Sequence, residues 1–134
     1  MSDLLDTIKT YLATDVDLAD IPCYLDMRPE TPHKLIVLTE LPGIGPIVGG
    51  GGAHRAFQAA VRSSEDDPEW AKSTVWKIFN MLTAAMGVFD LRELEVPIEL
   101  WGILEPEQTP FKIAVDKNNR VIYGFNVSIV TQTD

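Results

Sequence analysis

Apolar residues change their spacing once in the middle of this chain, and the change predicts its central elements. Phe57, Ala59 and Val61 alternate with Ala56, Gln58, Ala60 and Arg62, the period of a strand with one apolar and one wetter face. Ser63, Ser64, Glu65 and Asp66 follow as turn residues. From Trp70 onward Ala71, Val75, Ile78, Leu82 and Ala85, widened by Phe79 and Met86, recur at helical spacing. Asp67 is placed to cap that helix with its carboxylate, and Pro68 suits the first helical position, where a missing N–H costs nothing. Glu69 adds favourable charge there, and Gly87 is expected to end the helix. At ~1.5 Å per residue the rod is roughly 30 Å long, enough to cover a sheet. Burying Trp70, Val75, Ile78 and Leu82 at about 1.5–3 kcal/mol each makes it the main cover.

Upstream, Ser2 can cap a helix whose stripe is Leu4, Leu5, Ile8, Tyr11 and Leu12, ending near Ala13 or Thr14. Asp15 to Asp20 reads as a polar connector. Ile21, Cys23, Leu25 and Met27 then alternate as a short strand that Pro22 confines to an edge. His33 to Leu41 predicts a strand buried on much of both faces and paired with the Phe57 strand. Downstream, Val88 to Glu95 reads as an acidic connection, Val96 to Leu104 as a strand, Glu105 to Pro110 as a break, and Phe111 to Val115 as a short strand. Asp116-Lys117-Asn118-Asn119 is a turn. The clearest strand is the last, where Val121, Tyr123, Phe125, Val127 and Ile129 alternate with their neighbours towards Thr131. No regular βαβ alternation runs through this order. It predicts one α+β domain over residues 1–134, a mostly antiparallel sheet of about four to five strands with two helices packed on one face.

Composition fits that picture: 134 residues, 46% hydrophobic and 23% charged, suffice to bury a core without disulfides or metal. The single cysteine, Cys23, excludes an internal disulfide framework. The start Met1-Ser2-Asp3-Leu4 lacks the basic and apolar regions of a signal peptide, and no stretch approaches the ~18 apolar residues of a membrane helix. The expectation is a protein that is soluble and intracellular when made, with no membrane partner. The net charge of −9 comes without any lysine or arginine cluster, which argues against binding nucleic acid through its phosphates. That charge either solvates the surface or forms one that faces DNA without holding it.

Candidate chemistry is sparse. Pro42-Gly43-Ile44-Gly45-Pro46-Ile47-Val48-Gly49-Gly50-Gly51-Gly52 is the least ordinary stretch. It has no complete dinucleotide fingerprint, since Val48 stands where a third glycine would be, and no lysine of a phosphate loop follows it. It is either a flexible hairpin connection or, because Ile44, Pro46, Ile47 and Val48 are apolar in an exposed place, a loop that orders against a partner. The candidate contact residues are therefore Ile44, Pro46, Ile47, Val48, Gly49, Gly50, Gly51 and Gly52. His33 and His54 flank the hairpin as surface residues and, without a carboxylate or thiolate at a fixed offset, form a poor ligand set. Trp70, Trp76 and Trp101 suit a core or interface. No catalytic residue, cofactor or metal site is expected. The rival readings are a small phosphate- or nucleotide-binding enzyme built on the glycine loop, or a monomeric ligand-binding module.

The run Phe57-Gln58-Ala59-Ala60-Val61-Arg62 with its acidic turn and long helix, then Gln108-Thr109-Pro110, Asp116, Arg120 and Tyr123-x-Phe125-Asn126-Val127, resembles the minor capsid and tail terminator (tail completion) proteins of long-tailed bacteriophages. The match spans nearly the whole chain in the same order. What the resemblance implies is a structural virion protein. Such a homo-oligomer forms a ring, typically a hexamer, that caps the tail tube at the head–tail junction and meets tail-tube and head-connector proteins. DNA would pass through it unbound, and assembly would take place in the host cytoplasm. A small acidic domain with open sheet edges suits a ring, in which head-to-tail contacts cover edges without building a fibre.

Overall fold

The computed structural model of the protein describes residues 4–46, 52–84, 87–90 and 100–133. Helix α1 (Leu4–Leu12) buries Leu4, Leu5, Ile8 and Leu12, the stripe expected of it, while its proposed cap Ser2 lies outside the described residues. Where a polar connector was expected, a short helix α2 (Val16–Ala19) forms instead. Asp15 caps it, its Oδ1 accepting from the N–H groups of Asp17 at 2.9 Å and Leu18 at 3.2 Å. Leu18 inserts into the core as its anchor. Helix α3 (Pro68–Ala84) starts at Pro68 as the sequence predicts and buries Ala71, Val75, Ile78 and Leu82. Its end differs from the expectation, because Gly87 opens a strand rather than closing the helix.

The strands are β1 (Cys23–Leu25), β2 (Leu35–Pro46), β3 (Gly52–Arg62), β4 (Gly87–Asp90), β5 (Leu100–Pro106), β6 (Phe111–Val115) and β7 (Val121–Thr133). They form one seven-stranded sheet in the order β1-β2-β3-β7-β5-β4, with β6 also paired to β7. Every pairing is antiparallel except that of β1 with β2. The α+β class and the antiparallel sheet are as expected, with more strands than foreseen and a third helix. β4 replaces part of the expected acidic connection, held by its ladder to β5. β5 runs through Pro106 into the expected break, and residues 91–99 lie outside the described residues. The pairing of β2 with β3 is the one expected.

All of the helices lie on one face. There Ile36 and Leu38 of β2, Phe57, Ala59 and Val61 of β3, and Phe125, Val127 and Ile129 of β7 meet α1 and α3 in a single apolar cluster. Phe79 of α3 stands edge-on to Phe125 at 5.3 Å between ring centres, and the Tyr11 hydroxyl donates to the Met81 carbonyl at 3.0 Å, tying α1 to α3. Because strand side chains alternate between faces, the residues between these core positions form a second face, which carries no helix among the described residues.

Candidate interaction surface: a strap clamped by two buried arginines

β1 and β2 are parallel and adjacent, so the chain between them must run back to the starting end of the sheet. Residues 26–34 do this as a strap across the lower half of the helix-free face. Asp26 makes the first turn with a left-handed backbone (φ 58°), its N–H donating to the Leu38 carbonyl at 2.8 Å and its Oδ1 accepting from Glu40 N–H at 3.0 Å. Aspartate tolerates this conformation better than most side chains.

Two arginines hold the strap down. Arg62, at the end of β3, and Arg120, just before β7, are each only 2% exposed. Arg62 Nε donates to the His33 carbonyl at 3.1 Å, and its Nη2 donates to the carbonyls of Pro32 at 2.6 Å and Glu30 at 3.2 Å. Arg120 Nη1 donates to the Glu30 carbonyl at 2.6 Å and to His33 Nδ1 at 3.1 Å, and Nη2 reaches Glu30 Oε2 at 3.4 Å. The planar guanidinium makes such forked contact with several carbonyls feasible where a lysine could not. Leu35 and Ile122, the two residues opposite Arg62 in the ladder, are fully buried.

Asp116 organises Arg120. Its Oδ2 accepts from Arg120 Nε at 2.8 Å, and its Oδ1 accepts from the N–H groups of Asn118 at 2.9 Å and Arg120 at 3.0 Å. Burial pushes this carboxyl up, but those hydrogen bonds and the Arg120 charge outweigh it and hold the group below its ordinary value. In Arg62, burial first and the Arg120 charge second pull the guanidinium below its ordinary value. Arginine nonetheless stays protonated, so two like charges share the clamp, with the Asp116 and Glu30 carboxylates beside them. An open cleft of about 850 Å³ adjoins it, lined by His33, Ser64, Glu65, Asp66, Asn118 and Arg120.

The residues singled out in the sequence fall as follows. Ile44 and Pro46 belong to β2 and Gly52 to β3, so these three extend the hairpin strands rather than its loop, while Ile47, Val48, Gly49, Gly50 and Gly51 lie outside the described residues. The glycine-rich stretch joins two antiparallel strands, with Gly45 opposite His54 and Pro46 opposite Ala53. A phosphate cradle instead needs the N-terminus of a helix after the loop. His33 and His54 do not come together: His33 precedes the Leu35–Arg62 end of the ladder and His54 lies near the other, roughly 25 Å away at ~3.3 Å per residue. Asp67 immediately precedes α3, but its carboxylate takes Lys34 Nζ at 2.8 Å rather than serving as the expected cap. Lys34 also stands 5.1 Å from the Trp70 ring centre. Burial raises the Cys23 thiol to about 11 against a smaller lowering by Lys9, which leaves it largely protonated and unreactive at neutral pH. Among the described residues no group of three or more His, Cys, Asp or Glu is arranged to hold a metal.

Of the motif residues noted in the sequence, Asp116 and Arg120 belong to the clamp, and Gln58, Gln108 and Asn126 are joined in a second polar group. Gln58 Nε2 donates to Asn126 Oδ1 at 3.2 Å, and Asn126 N–H donates to Gln108 Oε1 at 2.8 Å. The strap and its double-arginine clamp were not foreseen. A signal for them existed: strand alternation puts Arg62 on the face opposite Val61, and Asp116 stands four residues before Arg120.

Fold and site together define an α+β protein whose most elaborate polar site, among the described residues, holds its own chain in place. The family model described as bacteriophage tail terminator protein matches residues 5–133, and the chain belongs to that family, as the resemblance in its motifs implied. No curated protein matches it. Its role is accordingly a structural one in the phage tail. No helix among the described residues is long and apolar enough to cross a membrane.

Proposed function

We propose that this chain is the subunit of a hexameric ring that caps the tail tube at the head–tail junction, joins it to the head connector, and lets DNA pass unbound. The observation that carries this reading is the family match over residues 5–133. Two further features support it. Among the described residues the sheet leaves outer edges unpaired at β1, β4 and β6, which head-to-tail contacts around a ring can cover. The net charge of −9, repeated around a central opening, repels a polyanion. In this reading the tip of the β2–β3 hairpin, Ile44 to Gly52, contacts a neighbouring subunit or the tube. The virion is the protein's final location, and the host cytoplasm is where it assembles.

The test is solution mass with microscopy, followed by titration with duplex DNA at low salt, where electrostatic attraction is strongest. Rings without DNA binding are expected. A protein that stays monomeric, or binding that is strong at low salt and falls steeply with added salt, would refute the proposal, the latter because it requires a basic surface.

A further inference from the structure

The strap covers only the lower half of the helix-free face. Register carries that face upward through two rows, Thr39–Gln58–Asn126 and Leu41–Ala56–Ser128. None of these side chains is charged, in a chain that is 23% charged. Its borders are different. Met27, 55% exposed, stands on the β2 side with Asp26 and Arg28, where a groove of about 290 Å³ runs along Val37, Thr39, Gln58 and Ala60. Phe111, 42% exposed, stands on the β6 side opposite Gly124, and Glu105 lies opposite Ser128 at the upper border. The Gln58–Asn126 hydrogen bond uses one donor and one acceptor. The Asn126 amide nitrogen and the Gln58 amide oxygen have no protein partner among the described residues.

We infer that this upper half of the helix-free face is where one copy of the chain docks on a second copy. The inference rests on the ring reading and supplies its contact surface. Charge decides the occupant. Each copy carries −9, so two copies can approach closely only where carboxylates are absent, and depletion of charge is what distinguishes the core of a protein interface. The opposite side of the sheet is covered by helices whose outer surfaces carry Asp6, Lys9, Glu69 and Lys72. The uncharged rows therefore form the centre of the contact, the spare amide groups give it direction, and Met27 and Phe111 supply apolar borders, methionine adapting to an irregular partner. Arg28, which has no ion-pair partner among the described residues, is available to a carboxylate of the neighbour.

The experiment compares the mass in solution of wild type, Thr39→Glu, Met27→Glu and Lys72→Glu over a concentration series, with circular dichroism and melting curves to monitor folding. Lys72→Glu adds more negative charge than either other change but lies on α3, away from the face. Burying a like charge at the contact should raise the concentration needed for assembly by roughly a hundredfold or more, leaving Thr39→Glu and Met27→Glu at the monomer mass of 14.9 kDa while Lys72→Glu assembles like wild type. Met27 projects from the surface, so its variant decides the matter if Thr39→Glu unfolds. Assembly of the folded face variants like wild type would overturn the docking surface and leave the ring reading standing. Dissociation of Lys72→Glu as well would overturn it too, since the effect would not be local. A wild type that is monomeric at every concentration would overturn both.

Discussion

Replacing Arg62 by methionine removes the guanidinium and keeps most of the side chain's apolar bulk. Lost are the three hydrogen bonds to the carbonyls of His33, Pro32 and Glu30. At about 1.5–3 kcal/mol for a hydrogen bond with a charged partner, these would sum to roughly 4.5–9 kcal/mol. Two effects offset that figure. The buried charge no longer has to be desolvated, and Arg120 loses a like-charged neighbour. Replacing buried ionic groups by apolar ones commonly recovers a few kcal/mol, which leaves a net destabilisation of about 2–4 kcal/mol. Urea unfolding followed by tryptophan fluorescence and circular dichroism measures this directly. Limited trypsin digestion adds a local readout, because Lys34 ends the strap and the Lys34–Leu35 bond should be cut faster once it lifts, whereas Arg28 is shielded by the proline that follows it. Arg62→Lys should fall between wild type and methionine, since an ammonium cannot make the same fork. A change under about 0.5 kcal/mol, with digestion unaltered, would mean that the strap is held by something other than the clamp.

Three further outcomes are expected. The Asp116 carboxyl titrates lower folded than unfolded, so its contribution is fully present above the unfolded value of about 3.9 and is lost as pH falls through the folded one; urea midpoints of Asp116→Asn should therefore lie below wild type at neutral pH and converge with it in acid, and parallel curves would contradict this. A methyl group at Gly124 would meet Ile113 Cδ1 at 2.5 Å and the Ala59 carbonyl oxygen at 2.6 Å; Gly124→Ala should cost about 1–3 kcal/mol in thermal or urea unfolding, and a neutral result would show that both the Ile113 side chain and the β3 backbone give way freely. Asp67→Ala breaks a solvent-exposed pair with Lys34, so its cost should be about 0.2–1 kcal/mol; a loss near 2 kcal/mol would restore Asp67 as the helix cap.

The parts of the fold legible in the sequence are those where one face of one element meets the core. The stripes of α1 and α3 and the alternation of β3 and β7 are of this kind, because burial imposes a period that local sequence must carry. α2 was not legible, since four residues hold only one buried anchor, Leu18. β4 and the outer end of β3 are set by pairing to distant strands, and the outer end of β2 by its pairing to that end of β3. Gly43, Gly45 and Gly52 offer no alternating side chains that would announce it. The clamp was hidden for a similar reason: it joins Glu30 to Arg62 and to Arg120, positions brought together by the return of the strap. The pairing of the two strands that flank the glycine-rich stretch was legible because Leu35–Leu41 and Ala56–Arg62 both carry strand patterns, and they face each other in register.

The central claim, that this family member ends tail growth by capping the tube, is tested most directly by adding the purified protein to polymerising tail-tube protein and following tube length by electron microscopy. The account predicts that growth stops and that each arrested end carries one ring. Tubes that lengthen at an unchanged rate, with the protein left unbound in solution, would contradict it.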